Sequence, residues 1–363
     1  MTSPASVSRR GVLTAAGSTL ALGALGAPQA HAAPAGTDTL VSRQRVLAFN
    51  IWFSGSVIKP GLSLVADAVR DVDADVVLLS ESGEATARLA DMMTTSRRRW
   101  YAASSSDTGI LSRFPIVDSA VLPYTTKAVV WNGKQVVTYY ALHLEYRWYA
   151  TYLPRGYGAG NPTGEFSEYG WDQIPTGPVL DRAKILANNA ASGRLEVIAT
   201  VLGDAAKERA KGRAVILGGD FNEPSVMDWT WATRHQQDHH GLVIPWQSTR
   251  RLLLAGYVDA YRSAFPDPVS HPGSTWPASN PDAETSSLTW APEADERDRI
   301  DYVFASPTPG LSLVQAGIVG PQGSIVRNER VDEPTTDDFI AHPMKWPSDH
   351  KAVLAEYRYV TRA

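Results

Sequence analysis

The chain has no cysteine among its 363 residues. That excludes disulfide staples, thiolate metal sites and a thiol nucleophile. Stability must come from an apolar core, which a chain of this length can build. Any bound metal must be held through oxygen or nitrogen. Long apolar runs are also missing. The apolar stretch near the N-terminus is interrupted by Gly17, Gly23 and Gly26 and is too short to span a bilayer. Strong charge is absent as well: the formal net charge is −4, without the basic footprint of a general duplex binder. There is no sequence repeat and no low-complexity tract. With 44% hydrophobic and 20% charged residues, the composition is that of a globular protein rather than a disordered one.

The first 32 residues read as an export signal and stand apart from the fold. Ser8-Arg9-Arg10-Gly11-Val12-Leu13 leads into an Ala-, Leu- and Gly-rich stretch that ends on Ala30-His31-Ala32, a charged region, an apolar region and an A-x-A cleavage site in order. The paired arginines look like a twin-arginine signal, with Val12 where a Phe is usual. The expectation is a protein exported across a bacterial cytoplasmic membrane, cut near Ala32 and secreted. Cutting there removes two arginines and no acid, which takes the charge from −4 to −6. Residues 33–44 are expected to be a short linker and 45–363 one catalytic domain.

Hydrophobic periodicity outlines the elements. Residues 45–52 (RVLAFNIW) alternate as a strand, with Val46, Ala48 and Asn50 on one face and Leu47, Phe49 and Ile51 on the other. Ser63 is expected to cap a helix running to about Val72, because Leu62, Val65, Val69 and Val72 recur at helical spacing. Strands are expected over 76–81, 109–117, 136–144, 214–217, 299–305 and 351–357. Helices are expected over 181–209, weakened at Gly193, and over 247–255. Strands outnumber helices, and helices fall in both halves, so sheets covered by helices are expected.

Several of these strands stop on one polar residue: Asn50, Glu81, His143, Asp220 with Asn222, and Asp301. Ser348-Asp349-His350 precedes the last strand. A single Asn or Asp at a strand end commonly serves a turn. The whole set at one sheet edge would instead crowd carboxylates together, which repel unless a cation or proton intervenes. Asn50, Glu81 and Asp349 offer the oxygen ligands a hard cation needs, so Mg²⁺ is expected first, with Mn²⁺ or Ca²⁺ next and Zn²⁺ through histidine. In Gly218-Gly219-Asp220-Phe221-Asn222-Glu223-Pro224, Asp220 and Asn222 share a face if the strand continues through them. The two glycines would allow close backbone approach.

The ordered segments LAFNIW, LLSE, GILSRFPI, LHLE, GGDFNEP, DRIDYVF and WPSDHKAVLAEY resemble the endonuclease/exonuclease/phosphatase superfamily from about Arg45 to Tyr357. This group includes deoxyribonuclease-like nucleases, abasic-site endonucleases, sphingomyelinases and inositol-polyphosphate phosphatases. The resemblance implies an α/β fold, a four-layer α/β/β/α sandwich of two packed mixed sheets flanked by helices. It implies Asn50, Glu81 and Asp349 at a divalent metal, with Glu81 the main ligand. Asp220 would position or deprotonate the attacking water, and Asn222 would stabilise phosphoryl oxygens. His350, held by Asp301, would contact phosphate or act as the base. His143 would stand near the leaving group, where the abasic-site branch carries a Tyr.

The activity so implied is metal-dependent hydrolysis of a phosphate ester, a phosphodiester first. A small or lipid-linked substrate ranks slightly above nucleic acid. Phosphomonoesterase, nuclease and silent binding protein are the alternatives, and a monomer is expected. The aromatic stretch 146–171 is expected to cover the sandwich. Its place after His143 also suits a pocket wall, or a contact with a lipid headgroup or membrane surface. Arg113, Arg155 and Arg182 are read as surface charges, Asp259 as a turn residue or a support for the site, and His235, His239 and His240 as a solvated loop.

Overall fold

In the computed structural model, the described residues are 39–340, 342 and 345–362. The expected export signal lies outside them. Among the described residues, fifteen strands form two large sheets and one hairpin. In chain order they are β1 Thr39–Asn50, β2 Val76–Ser80, β3 Tyr101–Ser104, β4 Gly109–Ser112, β5 Ile116–Leu122, β6 Thr125–Trp131, β7 Val136–His143 and β8 Ala214–Asp220. They continue with β9 Val258–Asp259, β10 Asp301–Ala305, β11 Leu311–Val319, β12 Ser324–Val326, β13 Glu329–Val331, β14 Phe339–Ile340 and β15 Ala352–Arg362. One sheet has the order β14-β11-β15-β1-β2-β4-β3, the other β5-β6-β7-β8-β10-β9, and β12 pairs with β13.

The period-2 alternation of each strand makes the layers. On β1, Val46 and Ala48 meet Leu78, Tyr139, Ile216 and Val303 between the sheets. Leu47 and Phe49 point the other way, onto Val65, Val69 and Leu89 of the helices Leu62–Asp71 and Ala85–Met93. Across the second sheet, Tyr140, Leu142, Val215 and Leu217 pack under Ile198, Val201 and Leu252 of Arg194–Ala210 and Gln247–Leu254. The result is helix, sheet, sheet, helix: the expected four-layer sandwich.

Two parallel pairs set the position of the site. β1 and β2 run parallel with Asn50 beside Ser80, and β7 and β8 run parallel with His143 beside Asp220. β10 starts antiparallel to β8 with Asp301 beside Asp220. Asn50, Ser80, His143, Asp220 and Asp301 thus extend the inward faces of their strands at one edge, where each face changes from apolar to polar. Ligands of open α/β sheets gather outside such carboxyl ends.

The doubled glycine before Asp220 has a steric cause. A Cβ on Gly218 would collide with the Tyr302 carbonyl of β10, and one on Gly219 with the Leu142 carbonyl of β7. Gly219 also has φ +127°, which L side chains rarely adopt. Gly219→Ala is expected to destabilise the protein by about 1–3 kcal/mol from crowding alone, read as a lower urea midpoint. An unchanged midpoint would mean that the two strands can part freely here.

Several expectations are corrected. Residues 39–44, expected in a linker, are the first half of β1, paired with β15 from Thr39↔Arg362 onward. The strand stops at Asn50, because Trp52, Phe53 and Ser54 take positive φ. Ser63 does not cap its helix: Gly61 is the N-cap, with φ 81° and no side-chain bond. The expected strand over 109–117 is two strands, β4 and β5, in different sheets. The helical stretch from Asp181 breaks at Gly193 (φ 75°) into Arg182–Ala191 and Arg194–Ala210. Asp181 caps the first by accepting from the Ala183 and Lys184 amides.

Candidate functional site

Asn50 closes the gap between the sheets. Its Nδ2 donates to Glu81 Oε1 at 3.1 Å and to Asp220 Oδ2 at 3.0 Å, while its Oδ1 accepts from the Trp52 amide. Glu81 lies one residue past β2 at φ 54°, and its other oxygen accepts from the Phe53 amide at 2.7 Å. The left-handed turn at 52–54 therefore presents an amide to this carboxylate. Ser348 ties the last loop to the same edge by donating from Oγ to the Asn50 carbonyl at 2.7 Å. That places buried Asp349 and His350 beside the strand ends.

Asp220 is the centre. Its Oδ2 lies 3.8 Å from His143 Nε2 and 3.7 Å from His350 Nε2. Each histidine is backed by an aspartate through its other ring nitrogen: Asp107 Oδ2 is 2.7 Å from His143 Nδ1, and Asp301 Oδ2 is 2.9 Å from His350 Nδ1. Two Asp–His pairs thus approach one carboxylate oxygen at distances too long for direct hydrogen bonds.

Burial by itself lowers both histidine pKa values. For His143 the hydrogen bond to Asp107 and the charge of Asp220 outweigh burial and push it up to about 9. For His350 the charges of Asp301 and Asp220, with the Asp301 hydrogen bond, push it up to about 10. Both shifts favour the protonated ring. Burial raises the Asp220 carboxyl, and the two imidazoliums pull it back. Burial pushes Asp349 up to about 7, His350 opposing the rise and Glu81 adding to it.

Asn222 departs from the expectation. The strand ends at Asp220, and Asn222 has φ 46°, so the two do not share a strand face. Its amide hydrogen bonds Asp220 Oδ1 at 2.8 Å, and its Nδ2 donates to the Leu144 carbonyl at 3.0 Å. Two residues of the site escape a reading of the sequence. Asp107 lies in a Ser-rich turn before β4, and only the fold brings it to His143. Ser80 bonds the Leu142 carbonyl and the Asp220 amide, linking the two sheets beneath the site. It does carry a signal, as the polar residue that closes the inward face of β2.

Asp107→Asn is expected to lower the His143 pKa from about 9 by about one pH unit or more, read by NMR titration of the ring. The sign follows from linkage. A raised histidine contributes stability that is full below its ordinary 6.5 and lost as pH rises through about 9. The variant should therefore lose stability most at acidic to neutral pH. An unmoved titration would show that Asp107 does not hold the proton.

The other candidates lie elsewhere or act structurally. Arg155, read as a surface charge, is buried and bound to Asp298. Arg113 pairs with Asp73 and Asp75. Asp259 caps a short helix and binds Arg299. His239 is buried rather than solvated: its ring stacks on Trp229 at 3.7 Å, and burial followed by the Arg155 charge lowers it to about 3. Tyr149, Tyr152 and Tyr157 are buried in a cluster with Trp276, so much of the aromatic stretch is covering core. Tyr146 remains half exposed.

Against this geometry stands the comparison with known proteins. Residues 47–350 match the Endonuclease/Exonuclease/phosphatase family. The chain belongs to that family. Its members are metal-dependent hydrolases of phosphate esters. The chain is also 28% identical over 326 residues to Uncharacterized protein F14F9.5 of Caenorhabditis elegans, covering 87% of this chain and 91% of the relative. Among solved structures, truncated C. elegans TDP2 aligns with TM-score 0.46 and 17% identity over 87% of this chain and 97% of that one. The endonuclease/exonuclease/phosphatase of Beutenbergia cavernae DSM 12333 aligns with TM-score 0.45 and 18% identity over 87% and 72%.

The family's divalent metal fits the donors present. Glu81 and Asp349 are carboxylates crowded by Asp220, and the upward push on Asp349 is the burden a cation would relieve. Ligand atoms of Asp220, Asp301 and His350 also lie within 4.8 Å of one another and could hold a cation. In that group, however, a metal would compete with the proton that Asp301 holds on His350.

Proposed function

We propose that the chain hydrolyses a phosphodiester by in-line attack of water, and that its substrate is a small or lipid-linked ester rather than duplex DNA. The observation that carries this reading is Asp220 flanked by two histidines, each held by its own aspartate. Asp220 orients the water and takes its proton as the oxygen attacks phosphorus. His143 gives a proton to the departing ester oxygen, and the phosphorus–oxygen bond breaks. His350 donates to a non-bridging oxygen, where charge builds in the transition state. Asn222, its amide committed to Leu144, holds the Asp220 carboxylate in place through its backbone N–H. Glu81, Asp349 and Asn50 would hold the divalent metal, which supplies Lewis-acid neutralisation of the phosphate when bound.

The nearby arginines favour a diester over a dianionic monoester. Arg147 is spent on Glu145, Arg155 on Asp298, and Arg194 on the carbonyls of Glu145, Arg147 and Trp148. The net acidity of the chain supports a substrate less charged than DNA. The Arg9-Arg10 segment and the Ala30-His31-Ala32 pattern support a place outside the cytoplasm.

The test is hydrolysis of bis(p-nitrophenyl) phosphate beside p-nitrophenyl phosphate, with Mg²⁺, Mn²⁺, Ca²⁺ or chelator. Diester cleavage that chelator abolishes and metal restores is expected. Faster cleavage of the monoester would transfer the reading to a phosphatase, and cleavage insensitive to chelator would remove the metal from it.

A further inference from the structure

Four arginines are buried among the described residues: Arg155, Arg194, Arg262 and Arg299. Three of them pair with aspartates: Arg155 with Asp298, Arg262 with Asp228, and Arg299 with Asp228 and Asp259. Arg194 differs. It is 1% exposed, and all five hydrogen bonds of its guanidinium go to neutral oxygens. It also opens the helix Arg194–Ala210, the end at which the helix dipole disfavours a cation. Burial accordingly lowers its pKa. A buried cation is costly unless a carboxylate answers it, so charge pairing does not account for this side chain.

Its partners do. Nε donates to the Glu145 carbonyl at 2.8 Å, Nη2 to the Arg147 carbonyl at 3.0 Å, and Nη1 and Nη2 both to the Trp148 carbonyl at 3.4 Å. These carbonyls belong to the chain just after β7, which ends on His143. Nη1 also donates to Asn189 Oδ1 at 2.9 Å, and Asn189 Nδ2 donates to Glu223 Oε2 at 2.9 Å. Glu223 follows the end of β8 at Asp220, and the Ser248 amide and hydroxyl fix its carboxylate from another side. The connection from Glu145 through Arg194 and Asn189 to Glu223 thus spans the exits of β7 and β8. Those strands carry His143 and Asp220 side by side. A planar fork of N–H groups holds such a set of acceptors in one geometry, which a lysine ammonium does not.

We infer that Arg194 is a positioning residue that sets the spacing of His143 and Asp220, with the carbonyls of 145–148 on one side and Asn189 and Glu223 on the other. The inference rests on the phosphodiester reading, in which His143 protonates the departing oxygen and Asp220 takes the proton of water. A misplacement of about 1 Å between such groups can cost about 10²-fold in rate. A displaced acid matters most where the leaving group is poor, because a more basic departing oxygen needs its proton more.

Arg194→Met, Arg194→Lys and Asn189→Ala, each shown folded by an intact thermal transition, are compared with the parent on two diesters. These are bis(p-nitrophenyl) phosphate and diphenyl phosphate, whose phenol leaves less readily. For Arg194→Met and Asn189→Ala, kcat should fall about tenfold or more while KM changes by less than about threefold. The fall should be larger on diphenyl phosphate. Arg194→Lys keeps the charge and loses the fork, so it should not restore kcat. Asn189→Ala leaves the carbonyl bonds of Arg194 in place and remains informative if the Arg194 variants fail to fold. Histidine-labelled protein gives an NMR readout free of turnover. The His143 ring signals should move in Arg194→Met and Asn189→Ala, while those of His271, stacked on Phe265, stay in place. Full kcat in either folded variant, recovery by Arg194→Lys, equal losses on the two diesters or unmoved His143 signals would each overturn the inference. A parent that cleaves neither diester would instead overturn the phosphodiester reading, and the His143 signals would then decide the role of Arg194.

Discussion

Asp220→Asn should lower turnover of bis(p-nitrophenyl) phosphate by about 10²–10⁴-fold, the usual worth of a positioned acid or base. The substitution keeps the side-chain shape and removes the charge. What is lost follows from the neighbours. The Asp220 side chain is 2% exposed, so no solvent carboxylate can stand in for it. Its Oδ2 is the common neighbour of His143 Nε2 and His350 Nε2, and its charge is among the causes that keep both rings protonated. The variant should therefore lose the proton acceptor and also lower both histidine pKa values. The alkaline limb of the rate profile should move to lower pH along with the fall in kcat. Steady-state kinetics across pH read both effects. A folded Asp220→Asn protein with unchanged kcat would place the proton acceptor elsewhere, with His350 the next candidate.

The largest effect on stability is expected from Asp298→Ala, at about 3–5 kcal/mol. Asp298 accepts from Arg155 Nη1 at 2.6 Å and Nη2 at 3.2 Å, from the Tyr149 hydroxyl at 3.0 Å and from Trp229 Nε1 at 3.3 Å. The side chains of the pair are 0% and 1% exposed. Burial raises the Asp298 carboxyl and Arg155 draws it back. Removing the carboxylate leaves a guanidinium inside the protein whose remaining hydrogen bonds go to the carbonyls of Gln237 and Arg297. Urea unfolding reads the loss. The double variant Arg155→Met with Asp298→Leu should recover much of it, because an apolar pair carries no stranded charge. A single variant as stable as the parent would mean that water reaches Arg155.

These two residues differ in how legible they are in the sequence. Asp220 follows an apolar run and two glycines, and it signals chemistry as one of a set of polar residues that end apolar strands. Asp298 and Arg155 are 143 positions apart, and nothing local marks either as buried. Arg155 sits among aromatics in an irregular stretch, where a charged side chain reads as surface. His239 misleads in the same way: a polar loop with three histidines looks solvated, while its ring is stacked on Trp229. Asp107 is invisible because its partner, His143, is 36 residues away and no periodicity links a turn to a distant strand end. The helix after Leu62 is placed well by its apolar spacing. Its cap is not, because Gly61 acts through a positive φ while Ser63 merely has the usual side chain.

By itself the sequence determined the layers and the edge. Alternation on the strands and 3.6-residue spacing on the helices assign each apolar side chain to a face, and burial of those faces leaves little choice but sheets packed together beneath helices. Polar residues that end the inward faces of β1, β7 and β8, and that begin β10, had to meet at one edge for the same reason. Only the tertiary structure decided which aspartate backs which histidine, that Asn222 turns its amide to Leu144, and that Arg155 is interior. Those outcomes depend on loops between elements. A loop's course is set by long-range pairing of charges and backbone groups once the sheets have docked, and that information is spread over residues far apart in the chain.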